Sequence, residues 1–252
     1  MAEPEEGSMP LTSHLYELRK RLIIAVIATL IGFIISYAFS EPLFQLLAAP
    51  LVDALPEGTT SLVFLGIIEP FFTYLKVALV AGIVLASPVI LYQIWAFAAP
   101  ALYKEERRWF LPIVVVSTLF FILGITFAYK LVFPFAFKYL MGFANAELRP
   151  ELSIALYFTI AIKLLLAFGI VFELPFFMTI LSRIGVTNAA FFSHYRRYAI
   201  VLAVVLSALL TPPDIFSQLM MAGPVILLYE LGILGAKIFG KKKVEESEER
   251  GE

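Results

Sequence analysis

A glutamate in the middle of a long apolar run is the residue of this 252-residue sequence that most strongly suggests chemistry. Glu173 lies in the run from Leu152 to Ser182, two residues before Pro175. An acid at the centre of a membrane span costs roughly 2.5 to 3.5 kcal/mol, so we expect Glu173 to face a helix bundle, a groove or a water-filled cavity. Two interpretations follow. Glu173 faces a partner or substrate, or it is a protonated acid that packs against a neighbouring helix.

Three further glutamates lie in polar stretches beside apolar runs, where a carboxylate can receive a cationic ligand. Glu17 is followed by Lys20 and Arg21 at the three- and four-residue spacings of a helix, so an ion pair within one helix is the alternative interpretation. Glu106 has only aromatic residues at those spacings, whereas Glu105 directly precedes it. If this turn begins a helix, Glu106 has no local cation and is available to a basic ligand.

Composition excludes several classes of chemistry. The chain is 61% hydrophobic and 15% charged, which is typical of a membrane protein and far from the composition of a soluble domain. It has no cysteine, and its two histidines, His14 and His194, are far apart in sequence. We find no Gly-rich phosphate-binding loop, and the net charge of −1 does not favour nucleic-acid binding. We therefore expect no metal or other cofactor.

The apolar runs predict an all-α polytopic membrane protein with six spans. The last two runs contain 13 and 15 residues, or roughly 20 to 23 Å of helix, which is less than the ~30 Å hydrocarbon core. The break at Thr211-Pro212-Pro213-Asp214 keeps these two short spans separate. The predicted spans are Leu22 to Phe39, Pro70 to Phe97, Trp109 to Tyr129, Leu152 to Ser182, Tyr198 to Leu210 and Ile215 to Tyr229.

Basic residues in the loops predict the orientation. Thirteen Lys and Arg residues collect on the side of both termini, against three on the other side. By the positive-inside rule, both termini are cytoplasmic. We expect residues 1–10 and 241–252 to be disordered, and residues 11–240 to form a single membrane domain. In the outer loop from Glu41 to Glu69 we expect short helices that lie on the membrane surface.

A proton-coupled carrier of a small solute is the alternative function from another class. Six spans with Glu173, Lys163 and Glu230 inside the membrane would suit it. Secondary transporters are usually built from repeated halves with matching broken helices. This sequence has no such repeat, because its short spans are both at one end.

The motifs of this chain resemble those of the TatC family, the multispanning core of the twin-arginine protein translocase. The resemblance covers Leu11 to Gly240 and follows the family's order. Four stretches carry it: His14 to Arg21, with Glu17 and Arg19; Ser87 to Arg108, with Gln93, Phe97, Glu105 and Glu106; Ala167 to Pro175, with Glu173; and Leu210 to Gln218, with Thr211 and Asp214.

The resemblance implies a receptor subunit in the prokaryotic cytoplasmic membrane that is not an enzyme. Such a subunit binds the twin-arginine signal peptides of folded proteins at the cytoplasmic face, docks the single-span proteins TatA and TatB, and self-associates in a larger complex. The proton-motive force drives the export. An arginine guanidinium suits this recognition because it can donate two charge-assisted hydrogen bonds to one carboxylate. The resemblance implies that Glu17 and Glu106 are the acidic acceptors of the peptide. We also expect Arg19, Phe97 and Glu105 at the peptide site, Glu173 and Gln93 at a polar site inside the membrane, and Thr211, Asp214 and Gln218 at a partner-docking face.

Overall fold

The computed structural model confirms the all-α class. Apart from an isolated β-bridge between Val63 and Ser153, the regular structure in the described part of the chain is helical. The structure describes residues 11–55, 62–98, 110–142, 153–211 and 215–240. The predicted disordered segments, 1–10 and 241–252, lie outside these residues.

Nine α-helices and one π-helical turn follow one another in the described part of the chain. The π-helical turn, Ala128–Val132, joins α4 to α5 without a break. The helices are α1 (Leu11–Ala38), α2 (Ser40–Val52), α3 (Glu69–Ala98), α4 (Phe110–Phe127), α5 (Phe133–Met141), α6 (Ile154–Arg183), α7 (Ala189–His194), α8 (Arg196–Leu210) and α9 (Ile215–Phe239).

Five helical segments in the described ranges are long and apolar enough to cross a membrane. They belong to α1, α3, the continuous α4–α5 segment, α6 and α9. The predicted fifth span is α8, whose 15 residues extend only about 23 Å. Five long segments together with the short helix α8 are consistent with six spans.

The third long helix extends well beyond its predicted end at Tyr129. It continues through the π-helical turn and α5 to Met141, so the first part of the expected outer loop is helical. The uncharged run stops at Lys130, but a charge does not end a helix, because a lysine side chain can extend its ammonium to the membrane interface. Pro134 does not interrupt the helix because it lies in the first turn of α5, where proline is tolerated.

The last helix, α9, also corrects the prediction. The uncharged run that we expected to be a short span ends at Tyr229, but the helix continues to Phe239. Glu230 does not end the helix. Its Oε2 accepts a hydrogen bond from Nη2 of Arg196, at the start of α8, at 3.0 Å, and Arg196 Nε lies 2.7 Å from its Oε1. Of the two spans that we expected to be short, only α8 is short in the structure.

The expected helix in the first outer loop is α2, and two tyrosines hold it against the bundle. Pro50 has no N–H, so the Leu46 carbonyl loses its partner within the helix. The Tyr129 hydroxyl donates to this carbonyl at 2.8 Å, and the Tyr157 hydroxyl donates to Leu47 at 2.5 Å. These bonds offset the cost of the proline.

The core lies around α6, which packs against α3, α4 and α9. Phe158 and Phe168 of α6 are fully buried, as is Phe133 of α5. The Phe158 ring stacks on Phe44 of α2 with 4.6 Å between centroids. Glu173 is part of this central helix, so its position is fixed by packing on several sides.

Two glycines allow α1 and α3 to approach closely. A Cβ at Gly32 would lie 2.5 Å from the Gly82 carbonyl oxygen, and one at Gly82 would lie 2.5 Å from the Phe33 nitrogen.

Since backbone atoms cannot move aside, we expect Gly82→Ala to destabilise the protein by about 1 to 3 kcal/mol. Thermal unfolding in detergent measures this loss of stability. Gly223→Ala is the matched control, because its Cβ would meet no atom within 4 Å. Equal stability of the two variants would contradict this account of the contact.

Candidate functional site

Glu17 lies near the polar end of α1 and is held there by Arg21. The Arg21 guanidinium donates to Glu17 Oε1 through Nε at 2.9 Å and through Nη2 at 2.5 Å. This is the ion pair that the spacing of Glu17 and Arg21 offered as the alternative interpretation. In the described part of the chain, these contacts all go to Oε1. Both side chains keep about a quarter of their surface exposed, 26% for Glu17 and 23% for Arg21.

The end of α3 joins this cluster. Arg21 Nη1 donates to the Gln93 side-chain oxygen at 3.4 Å, a link across 72 residues of sequence. One turn further along α3, Phe97 stacks on His14 of α1, with 4.4 Å between ring centroids. The fold thus brings Glu17, Gln93 and Phe97 together, with Gln93 at the polar end of the bundle beside Glu17. We call Glu17, Arg21, Gln93, His14 and Phe97 the α1–α3 cluster.

Arg19 does not belong to the α1–α3 cluster. Residues two positions apart on a helix point to nearly opposite sides, so Arg19 faces away from Glu17. It is exposed and lines a hollow of about 320 Å³ with Tyr16 and Lys20. Glu105 and Glu106 lie outside the described residues, so their place beside Glu17 stays a prediction.

Glu173 is part of a hydrogen-bonded chain that crosses three helices. The Trp95 indole N–H donates to Ser117 Oγ at 3.0 Å, and the Ser117 hydroxyl donates to Glu173 Oε2 at 2.6 Å. These residues belong to α3, α4 and α6 respectively. The other carboxyl oxygen, Oε1, is buried and receives no hydrogen bond from the described residues.

A groove of about 450 Å³ runs beside Glu173. Apart from Glu173 and Ser87, its walls are apolar or aromatic, and α3 and α6 provide most of them. Ile170, on its rim, is 66% exposed. The prediction that Glu173 faces a groove fits this geometry.

Polar residues near the α8–α9 turn bond within this helix pair. Gln218 Nε2 donates to the Val204 carbonyl at 3.2 Å, which joins α9 to α8. The Thr211 hydroxyl donates to Ser207 of its own helix at 2.7 Å. Asp214 lies outside the described residues. A docking role for Thr211, Asp214 and Gln218 stays a prediction, and the amide nitrogen of Gln218 is already used to hold the two helices together.

Comparison with known proteins identifies the family. The family model described as Sec-independent protein translocase protein (TatC) matches residues 13–224. The chain belongs to the TatC family.

Similar proteins cover almost the whole chain. The TatC protein of Desulforapulum autotrophicum is 46% identical over 98% of this chain and 92% of its own length. That of Escherichia coli K12 is 41% identical over 93% of this chain and 90% of its own. A crystal structure of the twin-arginine translocase receptor TatC is 43% identical and superposes with a TM-score of 0.82, covering 90% of this chain and 99% of the other.

Membership of the TatC family and the long apolar helices establish a coarse function. The chain is a multi-pass protein of the bacterial cytoplasmic membrane and a component of the Sec-independent protein translocase. The described residues contain no group of three or more His, Cys, Asp or Glu side chains that could hold a metal ion.

Sequence reasoning missed one residue of the site and misplaced one acid outside it. Ser117 received no role, although it links Trp95 to Glu173. A single serine in an apolar span is a weak signal, because its hydroxyl usually bonds to its own helix. Glu230 was treated as an acid inside the membrane, whereas it pairs with Arg196 and is 41% exposed.

Proposed function

We propose that this chain is the receptor subunit of the twin-arginine translocase. In this proposal it binds the twin-arginine signal peptides of folded proteins at the cytoplasmic face and docks TatA and TatB for export driven by the proton-motive force. The observation that carries the proposal is the α1–α3 cluster. There, a partly exposed carboxylate is fixed beside an aromatic ring at the polar end of two helices.

The ion pair of Glu17 with Arg21 is compatible with peptide binding. A pair of exposed charges at this helical spacing contributes only about 0.3 to 0.5 kcal/mol, so a ligand can replace it at little cost. The second oxygen of Glu17 receives no hydrogen bond from the described residues, which leaves it for a peptide guanidinium. A hydrogen bond to a charged group contributes about 1.5 to 3 kcal/mol, more than the internal pair.

The experiment that tests this function is a binding titration with the full chain in lipid nanodiscs. A fluorescent signal peptide with paired arginines is compared with the same peptide carrying paired lysines. We expect tighter binding of the arginine peptide, because an ammonium cannot form the two parallel hydrogen bonds of a guanidinium. Equal affinities would contradict the proposal, since simple charge attraction explains them.

Partner docking is the second part of the proposal, and the groove beside Glu173 supports it. An apolar helix with one polar side chain fits a groove whose walls are apolar around one carboxyl group. The α8–α9 face is the other docking surface that we propose, with Gln218 at its outer end. Buried polar contacts between membrane helices contribute about 0.6 kcal/mol on average, so they affect the register of a partner more than its affinity.

Single cysteines test both docking surfaces, because the chain has no cysteine of its own. We expect Ile170→Cys, at the groove, and Leu219→Cys, next to Gln218, to form crosslinks with cysteines placed along the TatA or TatB span. Ile27→Cys on α1 is the control, since this residue is 50% exposed but lies on neither surface. Crosslinking that is no stronger at the first two positions than at the control would place the docking surface elsewhere.

A further inference from the structure

A second cavity, of about 640 Å³, lies between α1, α2, α3 and α4, toward the end of the bundle away from Glu17. Its walls are largely apolar and include Leu43, Val80 and Ala81. The lining residues Ile35 and Leu85 are 48% and 55% exposed, so the cavity opens toward the outside of the bundle. At this depth the surroundings are lipid chains.

Lys130 lies among the lining residues and is exposed. It is 20 residues beyond the start of α4 at Phe110, or about 30 Å along the helix. Since the hydrocarbon core is ~30 Å thick, Lys130 lies at the level of the lipid headgroups on the far side. In the described part of the chain it forms no ion pair, and its Nζ lies 5.9 Å from the centre of the Tyr129 ring.

The local backbone also distinguishes this position. Lys130 is the central residue of the π-helical turn Ala128–Val132, and such turns are frequent at functional sites in helices. Ala128 and Val132 are buried in the core on one side of the turn, whereas Lys130 lines the cavity. The cavity therefore combines apolar walls inside the hydrocarbon region with one cation at its headgroup end.

We propose that this cavity binds one anionic phospholipid of the far leaflet. An acyl chain lies along the apolar wall formed by α1, α2 and α3, and the headgroup phosphate accepts hydrogen bonds from Lys130 Nζ. Charge decides between lipid classes: one ammonium group with no ion-pair partner in the described chain favours a headgroup with net negative charge over a zwitterionic one. The site is separate from the α1–α3 cluster and from the groove beside Glu173, and it does not depend on the proposed receptor function.

The test is native mass spectrometry of the full chain, released from detergent and titrated with phosphatidylglycerol or phosphatidylcholine that carry the same acyl chains. We expect tighter binding of phosphatidylglycerol. Lys130→Gln should weaken that binding about fivefold, the effect of one basic residue near anionic lipid, and bring it close to that of phosphatidylcholine. Lys138→Gln is the matched control, because Lys138 is also exposed at this end of the bundle but does not line the cavity.

A second variant tests the apolar part of the site. Ala81→Phe places a ring inside the cavity and should reduce retention of both lipids. The exposed Lys130→Gln variant does not disturb the core and keeps the test valid if Ala81→Phe fails to fold. Three results would overturn the proposal: equal binding of phosphatidylglycerol by wild type and Lys130→Gln, an equal loss in Lys138→Gln, or a dimer of this chain that occupies the cavity and excludes lipid.

Discussion

Glu173→Ala should reduce export of a reporter protein to below about a tenth of wild type, whereas Glu173→Gln should keep most of it. The physical reason lies in the two carboxyl oxygens. Oε2 accepts the Ser117 hydrogen bond, and a glutamine oxygen can accept it equally well. Oε1 is buried and has no hydrogen-bond partner among the described residues, and a glutamine amide there remains a polar group for a docked helix. Alanine removes both groups.

Loss of folding does not explain such a defect. Hydrogen bonds between membrane helices contribute about 0.6 kcal/mol on average and at most about 1.7, a small part of the stability of a helical bundle. We therefore expect similar amounts of Glu173→Ala, Glu173→Gln and wild type in the membrane, measured by immunoblot beside the export assay. Much lower amounts of the alanine variant would make the acid a packing residue.

The same pair of variants separates the translocase from a proton-coupled carrier. A carrier needs a group that takes up and releases a proton, and glutamine cannot. If Glu173→Gln fails as badly as Glu173→Ala, Glu173 must ionise to function, and its role as an uncharged polar contact for a docked helix is wrong. Wild-type export by Glu173→Ala would exclude both a docking role and a proton-carrying role for Glu173.

Two serines provide a matched control for the hydrogen-bonded chain. Ser117 and Ser207 are both fully buried in membrane helices. Ser117 joins Trp95 to Glu173, whereas Ser207 donates only to Ala203 of its own helix. Ser117→Ala should therefore lower export in part, because Glu173 loses the donor that orients it. Ser207→Ala should have little effect.

The sequence predicted those features that depend on local pattern. The span around Glu173 was predicted to end at Ser182, and α6 ends one residue later, at Arg183. Helical spacing alone also offered the pair of Glu17 with Arg21 as one of two interpretations. These features need only residues within a few turns of one another, so periodicity and spacing were sufficient.

Features that depend on tertiary contacts could not be predicted from periodicity and spacing. Ser117 and Glu173 are 56 residues apart in sequence, and nothing in either segment indicates that their side chains meet. In the same way Glu230 of α9, just beyond Tyr229, pairs with Arg196 of another helix. In each case a polar residue in an apolar segment is satisfied by a distant partner, which the fold alone provides.

Glu17→Ala should weaken binding of the twin-arginine peptide by about 10- to 150-fold, because the loss of a charged hydrogen-bond partner costs roughly 1.5 to 3 kcal/mol. Glu230→Ala is the matched control in the same titration. Glu230 is also a partly exposed glutamate paired with an arginine, but it lies outside the α1–α3 cluster, so its variant should bind normally. An equal loss in both variants would indicate a general effect of charge rather than a site at Glu17.

Glu106→Ala should weaken peptide binding to a similar extent, because this acid has no cation at helical spacing in the sequence. Its neighbour Glu105 can take over part of the role, so the double variant Glu105→Ala/Glu106→Ala should bind more weakly than Glu106→Ala alone. If both acids bind one arginine pair, the effects of Glu17→Ala and Glu106→Ala should not be additive. Unchanged affinity in both single variants would exclude the assignment, and purely additive losses would mean that the two acids bind independent parts of the peptide.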